Sequence, residues 1–183
     1  MTIPLVVLGL LGLALTVGDD SSGGKATKGP LPPLTASAPP NATAQAAPCA
    51  KVLAELPVRL GSFDPRIVHT TPDTPYVVAW ADPPVVLACG VDRPKVLHPG
   101  SSERVFNAGD LAGPYYVVSS SGNANVYTII DRQPYIAITV PAKYSAGDIL
   151  PTLVGAVGKA LPAVCSTDPN TPDPDKLCTR RPT

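Results

Sequence analysis

The run Tyr76-Val-Val-Ala-Trp-Ala-Asp-Pro-Pro-Val-Val-Leu-Ala-Cys-Gly-Val91 decides how this chain folds. It contains the only tryptophan and one of four cysteines. Tyr76 to Ala81 is rich in β-forming residues, and Val85 to Val91 alternates. Val85, Leu87, Cys89 and Val91 therefore share one face of a strand, and Val86, Ala88 and Gly90 share the other. Between the two halves, Asp82-Pro83-Pro84 supplies neither proline N–H to a ladder and favours a turn. The run reads as two strands around a rigid corner, with Cys89 on the core face.

Further strands follow. Tyr115 to Ser119, Val126 to Arg132 and Tyr135 to Val140 are short β-rich segments. They are separated by Ser120-Ser-Gly-Asn-Ala-Asn125 and by the tight Gln133-Pro134 connection, which predicts an antiparallel meander. Ile67 to Thr71 reads as a short edge strand, and Asp92 to Pro114 as a long connection broken by Pro and Gly.

Two helices complete the pattern. In Pro48 to Leu56, Cys49, Val52, Leu53 and Leu56 fall at i, i+3, i+4 and i+7, and Pro57 ends the segment. In Ile149 to Leu161, Leu150, Leu153, Val154, Val157 and Leu161 form one face. Ser145-Ala-Gly-Asp148 precedes it with the spacing of a capping box, and with Asp148 as the N-cap Pro151 would fall within the first turn. The expected fold is α+β, a small antiparallel sheet of about four to six strands with two helices on one face.

Four cysteines, Cys49, Cys89, Cys165 and Cys178, allow three pairings. Cys49 points inward from its helix and Cys89 from its strand, so these two are expected to form one disulfide. Closing a loop of about 40 residues stabilises by roughly 4 kcal/mol in the chain-entropy picture. Cys165 and Cys178 then pair locally across a Pro-rich tail.

The chain outside 48–165 has a different character. Ile3 to Val17 carries no charge. As a helix it would span about 22 Å, short of the roughly 30 Å of a bilayer core. Residues 1–18 are read as a signal peptide or short membrane anchor, although no basic residue precedes the apolar run. Residues 19–47, rich in Ala, Pro, Ser, Thr and Gly, are read as a disordered linker, and 166–183 as a Pro-rich tail. Ten of the 24 prolines lie in these flanks, where few large apolar residues accompany them beyond the N-terminal run, which frames a single domain between two spacers.

Charge narrows the function. Lys+Arg and Asp+Glu both number 14, for zero net charge, which argues against nucleic acid and against docking on anionic lipid. Membrane contact is expected only through the N-terminal apolar segment. No Gly-x-Ser-x-Gly, His-x-x-x-His or phosphate-cradling loop occurs. No catalytic residue, metal ligand set or cofactor is assigned. Adjacent Asp131 and Arg132 at the end of a strand would point to opposite faces, which disfavours a mutual bridge.

The segments Pro48-Cys49, Trp80 to Gly90, Asp131-Arg-Gln-Pro-Tyr135 and Ile149 to Leu161 together resemble a family of actinobacterial exported or membrane-anchored proteins grouped as a domain of unknown function. Members carry a Trp-Gly-Asp-Pro-Pro-like segment leading to Cys-Gly and an Asp-Arg-x-Pro-Tyr-like segment. Here Ala81 stands where glycine is usual, and Cys165 and Cys178 are additional. The resemblance implies an envelope-side domain and brings no activity. The expected function is a non-catalytic binding module of the cell envelope, its partner an envelope protein or cell-wall component. Trp80, Asp82, Asp131, Arg132 and Tyr135 are the candidate binding residues. The alternatives are a cell-wall-directed enzyme using His69, Asp82 or Asp131 as acid/base groups, and a structural accessory subunit of a membrane complex.

Overall fold

The computed structural model describes residues 30–97, 104–108 and 111–164. In chain order the elements are β1 (Leu34–Ser37), α1 (Ala46–Glu55), β2 (Pro65–Arg66), β3 (Val68–Thr71), β4 (Val77–Trp80), β5 (Val85–Cys89), β6 (Arg104–Ala108), β7 (Leu111–Ser121), β8 (Ala124–Ile129), β9 (Ile136–Pro141) and α2 (Ala146–Ala160). The class is α+β, as expected. Seven strands pair in the order β2-β4-β5-β9-β8-β7-β6, and every pairing is antiparallel. Strands β7 to β9 form the expected meander, and β6, which was not expected, extends it at the edge. It runs inward from the far edge, so that β9 closes against β5.

Alternation decides which side is buried. Trp80, Val85, Leu87 and Cys89 from β4 and β5 face the helices. Ile129, Ile136, Ile138 and Val140 from β8 and β9 continue the same layer. Registers Leu87↔Ile138 and Cys89↔Ile136 place these side chains directly opposite one another. Cys49 and Val52 of α1 and Ile149, Leu150, Leu153, Val154 and Val157 of α2 close the core from above. The disulfide expected between Cys49 and Cys89 is present, with a Cα–Cα separation of 5.7 Å. The proposed Cys165–Cys178 bridge lies outside the described residues.

The helix boundaries differ from expectation. Helix α1 starts at Ala46, because two alanines precede Pro48 and proline is tolerated in a first turn. Helix α2 is capped from Ser145 rather than Asp148, without a side-chain capping bond, so the capping box is not made. Asp148 instead lies in the first turn, where its charge complements the helix dipole. Pro151 is thus inside the helix. Its missing donor would have served the carbonyl of Gly147, which is exposed to water.

Two segments read as unstructured carry strands. The connection 92–114 contains β6 and the start of β7. Within the expected linker 19–47, residues 34–37 form β1, which pairs in parallel with β3 as a separate two-stranded sheet. The segment then docks on the end of β5. Asn41 N–H donates to the Gly90 carbonyl at 2.9 Å, Asn41 Nδ2 reaches Asp92 Oδ1 at 3.0 Å, and Ala42 is fully buried. Composition missed this because the segment supplies few apolar side chains of its own; main-chain bonds, the Asn41 side chain and one buried alanine hold it.

Glycine is required at that contact. Gly90 has φ +88°, and a Cβ there would lie 2.6 Å from the Ala42 backbone. Gly90→Ala should destabilise the fold by about 3 kcal/mol through overpacking and backbone strain, measured as a lowered urea midpoint. Ala81 shows the converse. Its φ is +64°, a left-handed conformation costing an L-residue about 1–2 kcal/mol. Glycine would adopt that conformation without a Cβ penalty. Ala81→Gly should raise stability by about 0.5–1 kcal/mol, the strain relief being partly offset by glycine's greater unfolded-state entropy; thermal denaturation reads the gain.

Candidate functional site

The candidate residues occupy two opposite ends of the sheet. At one end, Trp80 closes β4 and packs into the core with 1% exposure. Its indole N–H donates to the Val58 carbonyl at 3.1 Å. It is a packing anchor, not a contact surface. The neighbouring Asp82 is about half exposed and pairs with Arg66 Nη1 at 3.1 Å. Arg66 Nη1 also donates to the Ala81 carbonyl at 3.3 Å, bracing the corner. The Arg66 Nε is buried without a hydrogen-bond partner.

The other end holds Asp131, Arg132 and Tyr135. Asp131 and Arg132 do pair, with Oδ2 and Nη1 2.6 Å apart. The expectation that they point apart is overturned because β8 stops at Ile129; residues 131–134 form a bend, where strand alternation no longer holds. Asp131 Oδ1 also accepts the Tyr115 N–H at 2.9 Å, and its carbonyl accepts the Val164 N–H at 2.8 Å. One residue thereby joins the β7 strand, the turn and the chain leaving α2. The side chains of Asp131 and Arg132 are 17% and 8% exposed, and Arg132 Nε has no hydrogen-bond partner.

Burial raises the Asp131 carboxyl above the ordinary aspartate value of 3.8, against the lowering effect of Arg132 and the backbone donors. Burial likewise raises the Tyr135 phenol above 10.0, opposed by the nearby Arg93 charge. The Tyr135 carbonyl accepts N–H groups of both Gly90 and Val91, at 3.0 and 3.2 Å. Tyr135 and Tyr115 pack with Val96 against Leu97, Val117 and Ile130, a second apolar cluster. Val117 pairs with Thr128 on the side of the sheet away from the helices, so this cluster covers part of that far face.

The central far face carries the feature that residue-by-residue reading missed. Val86, Ala88, Val126, Ala137 and Thr139 are all half-buried and adjacent through Val86↔Thr139, Ala88↔Ala137 and Val126↔Thr139. None is charged. An antiparallel sheet with one face in water ordinarily alternates apolar-in and polar-out; here the outward positions are uncharged, and Thr139 is the one polar residue among these five. The signal was visible in β5 and β9, where Val-Val-Leu-Ala-Cys and Ile-Ala-Ile-Thr-Val never alternate with a charge.

The possible acid/base groups do not converge. Asp82 lies at the Val85 end of β5, whereas Asp131 lies beyond the β8–β9 junction at the Cys89 end. About four residue steps separate those ends, some 13 Å of strand. His69 is exposed on β3 opposite Thr35. Among the described residues, no group of three or more His, Cys, Asp or Glu side chains is placed to hold a metal ion.

Removing the Asp131 carboxylate should be costly because Arg132 would remain buried without its counter-charge. Asp131→Ala should lose about 3–5 kcal/mol at neutral pH, read by chemical denaturation. The carboxyl itself should titrate above 3.8 by NMR in the folded protein. Since the folded state holds this proton more tightly than the unfolded state, the associated stability is fully present below pH 3.8. It is lost as pH rises through the folded value.

A family of proteins of unknown function, DUF3515, matches the chain over residues 2–165. No curated protein and no solved structure matches it. With nearly the whole sequence inside that match and the folded elements all within it, the chain belongs to the DUF3515 family.

Proposed function

We propose that this protein is a non-catalytic interaction domain of the cell envelope, held outside the cytoplasm by its N-terminal apolar segment. The observation that carries the reading is the far sheet face, where Val86, Ala88, Val126, Ala137 and Thr139 leave the centre of the ladder half-open and uncharged. Contiguous uncharged surface of this kind favours a partner over bulk water. The Cys49–Cys89 disulfide supports an oxidising compartment. The uncharged Ile3 to Val17 run supports an exported or anchored chain. The partner is an envelope protein or cell-wall component that lies on the far face, with Tyr135, Arg93 and the Asp131–Arg132 pair bordering one end. An acid/base enzyme is less well supported, since Asp82 and Asp131 occupy opposite ends of β5 and β9.

Chemical cross-linking in the native envelope tests this. The full-length chain should capture a reproducible partner, and Thr139→Lys or Val126→Lys should abolish that capture, because either places a charge in the middle of the face. Both positions are half-exposed, so the melting temperature should stay within a few degrees of the unaltered protein. Undiminished capture by both variants would eliminate this face as the partner surface.

A further inference from the structure

Among the described residues, the large hydrophobic side chains left exposed are Val58, at 79%, and Ile67, at 60%. Single exposed aliphatics are ordinary, but these two bracket one short segment, the loop after α1 together with the edge strand β2. Arg59, beside Val58, is bridged to Asp64 at 2.9 Å, and Leu60 and Phe63 form a β-bridge within the loop. The Val58 carbonyl is fixed by the Trp80 indole, and Trp80 is registered opposite Pro65. The two aliphatics are therefore presented from a braced loop.

The same corner is where the chain enters the fold. The Leu34 N–H donates to the Ile67 carbonyl at 2.8 Å, and β1 is the first described element. Sixteen residues, 18–33, separate Leu34 from the end of the apolar run at Val17, a span of at most about 55 Å. A tether of that length imposes an effective concentration of order millimolar at any surface holding the run. Arg59 and Arg66 directly flank the two aliphatics in sequence, with charges matched by Asp64 and Asp82. The loop is thus apolar at its tips and electrically balanced behind them.

We propose that this loop seats the domain on the lipid surface, with Val58 and Ile67 entering the interface of a zwitterionic bilayer. The inference rests on the reading of Ile3 to Val17 as a membrane segment. Balanced charge makes the contact depend on apolar insertion rather than on anionic headgroups. The exposed Arg59 lays its stem along the boundary with its guanidinium in water, while Arg66 stays buried against Ala81 and Asp82. Seating the β2 edge in this way fixes which side of the domain faces outward.

The full-length chain reconstituted in brominated phosphatidylcholine vesicles tests the orientation. Ile67→Trp places a fluorophore at the loop, and Lys159→Trp places one on the exposed side of α2, a helix that packs toward β6 and β7. Vesicle flotation is read first, then tryptophan quenching relative to non-brominated vesicles. The expected result is flotation of both variants, quenching in the Ile67→Trp chain beyond the Trp80 background, and no added quenching in the Lys159→Trp chain. Adding Val58→Ser to Ile67→Trp should reduce the quenching. Flotation with equal quenching at both positions, or with none at Ile67→Trp, overturns the seating and leaves the anchor reading intact. Quenching that vanishes at low protein density assigns the loop to a second copy of the chain and also overturns it. Failure to float overturns both readings.

Discussion

The covalent link between Cys49 and Cys89 holds the helix layer against the sheet, and the residue next to it holds the N-terminal segment. Cys89 ends β5, the strand that joins the β4 hairpin to the returning meander through β9. Gly90 then accepts Asn41 and passes within a methyl's width of Ala42. Two successive residues thus gather α1, β9 and the chain's entry. The crosslink removes loop-closure entropy from the unfolded chain, while the glycine removes a steric obstacle in the folded one. Neither substitutes for the other.

The opposite faces of the sheet have opposite fates. The helix side is sealed by branched aliphatics from every central strand. The far side is covered at one end by the cluster around Leu97, Val117 and Ile130, leaving small uncharged residues across the middle. Fully solvated sheets seldom dispense with polar side chains there. The lack of charge on the outer side of β5 and β9 is the observation on which the proposed interaction role rests. The buried Asp131–Arg132 pair acts differently. It ties β7, the β8–β9 turn and the segment after α2 together; such a pair is costly to break though not strongly stabilising as a whole.

Much of this was legible in the chain. Strict alternation through Val85, Leu87 and Cys89, helical spacing through Cys49, Val52 and Leu53, and the apolar stripe of α2 established the α+β class, the core face and the Cys49–Cys89 pairing. These signals are local periodicities, and they work because each element buries one side against the same core. The Asp-Pro-Pro corner was legible too, since proline chemistry is independent of its surroundings.

What only the tertiary structure decided depends on residues distant in sequence. Asn41 and Ala42 are ordered by Gly90, roughly fifty positions away, so composition read their segment as a spacer. Asp131 and Arg132 meet because β8 ends just before them, and strand alternation cannot announce where a strand stops. Trp80, a candidate contact in the sequence, is buried by α1 and the loop behind it. The uncharged far face exists only once β5, β9 and β8 lie side by side. Periodicity assigns each residue a side; the order of strands determines which neighbours share it, and the opening stretch Tyr76 to Val91 therefore specified a core strand without revealing the surface on its reverse.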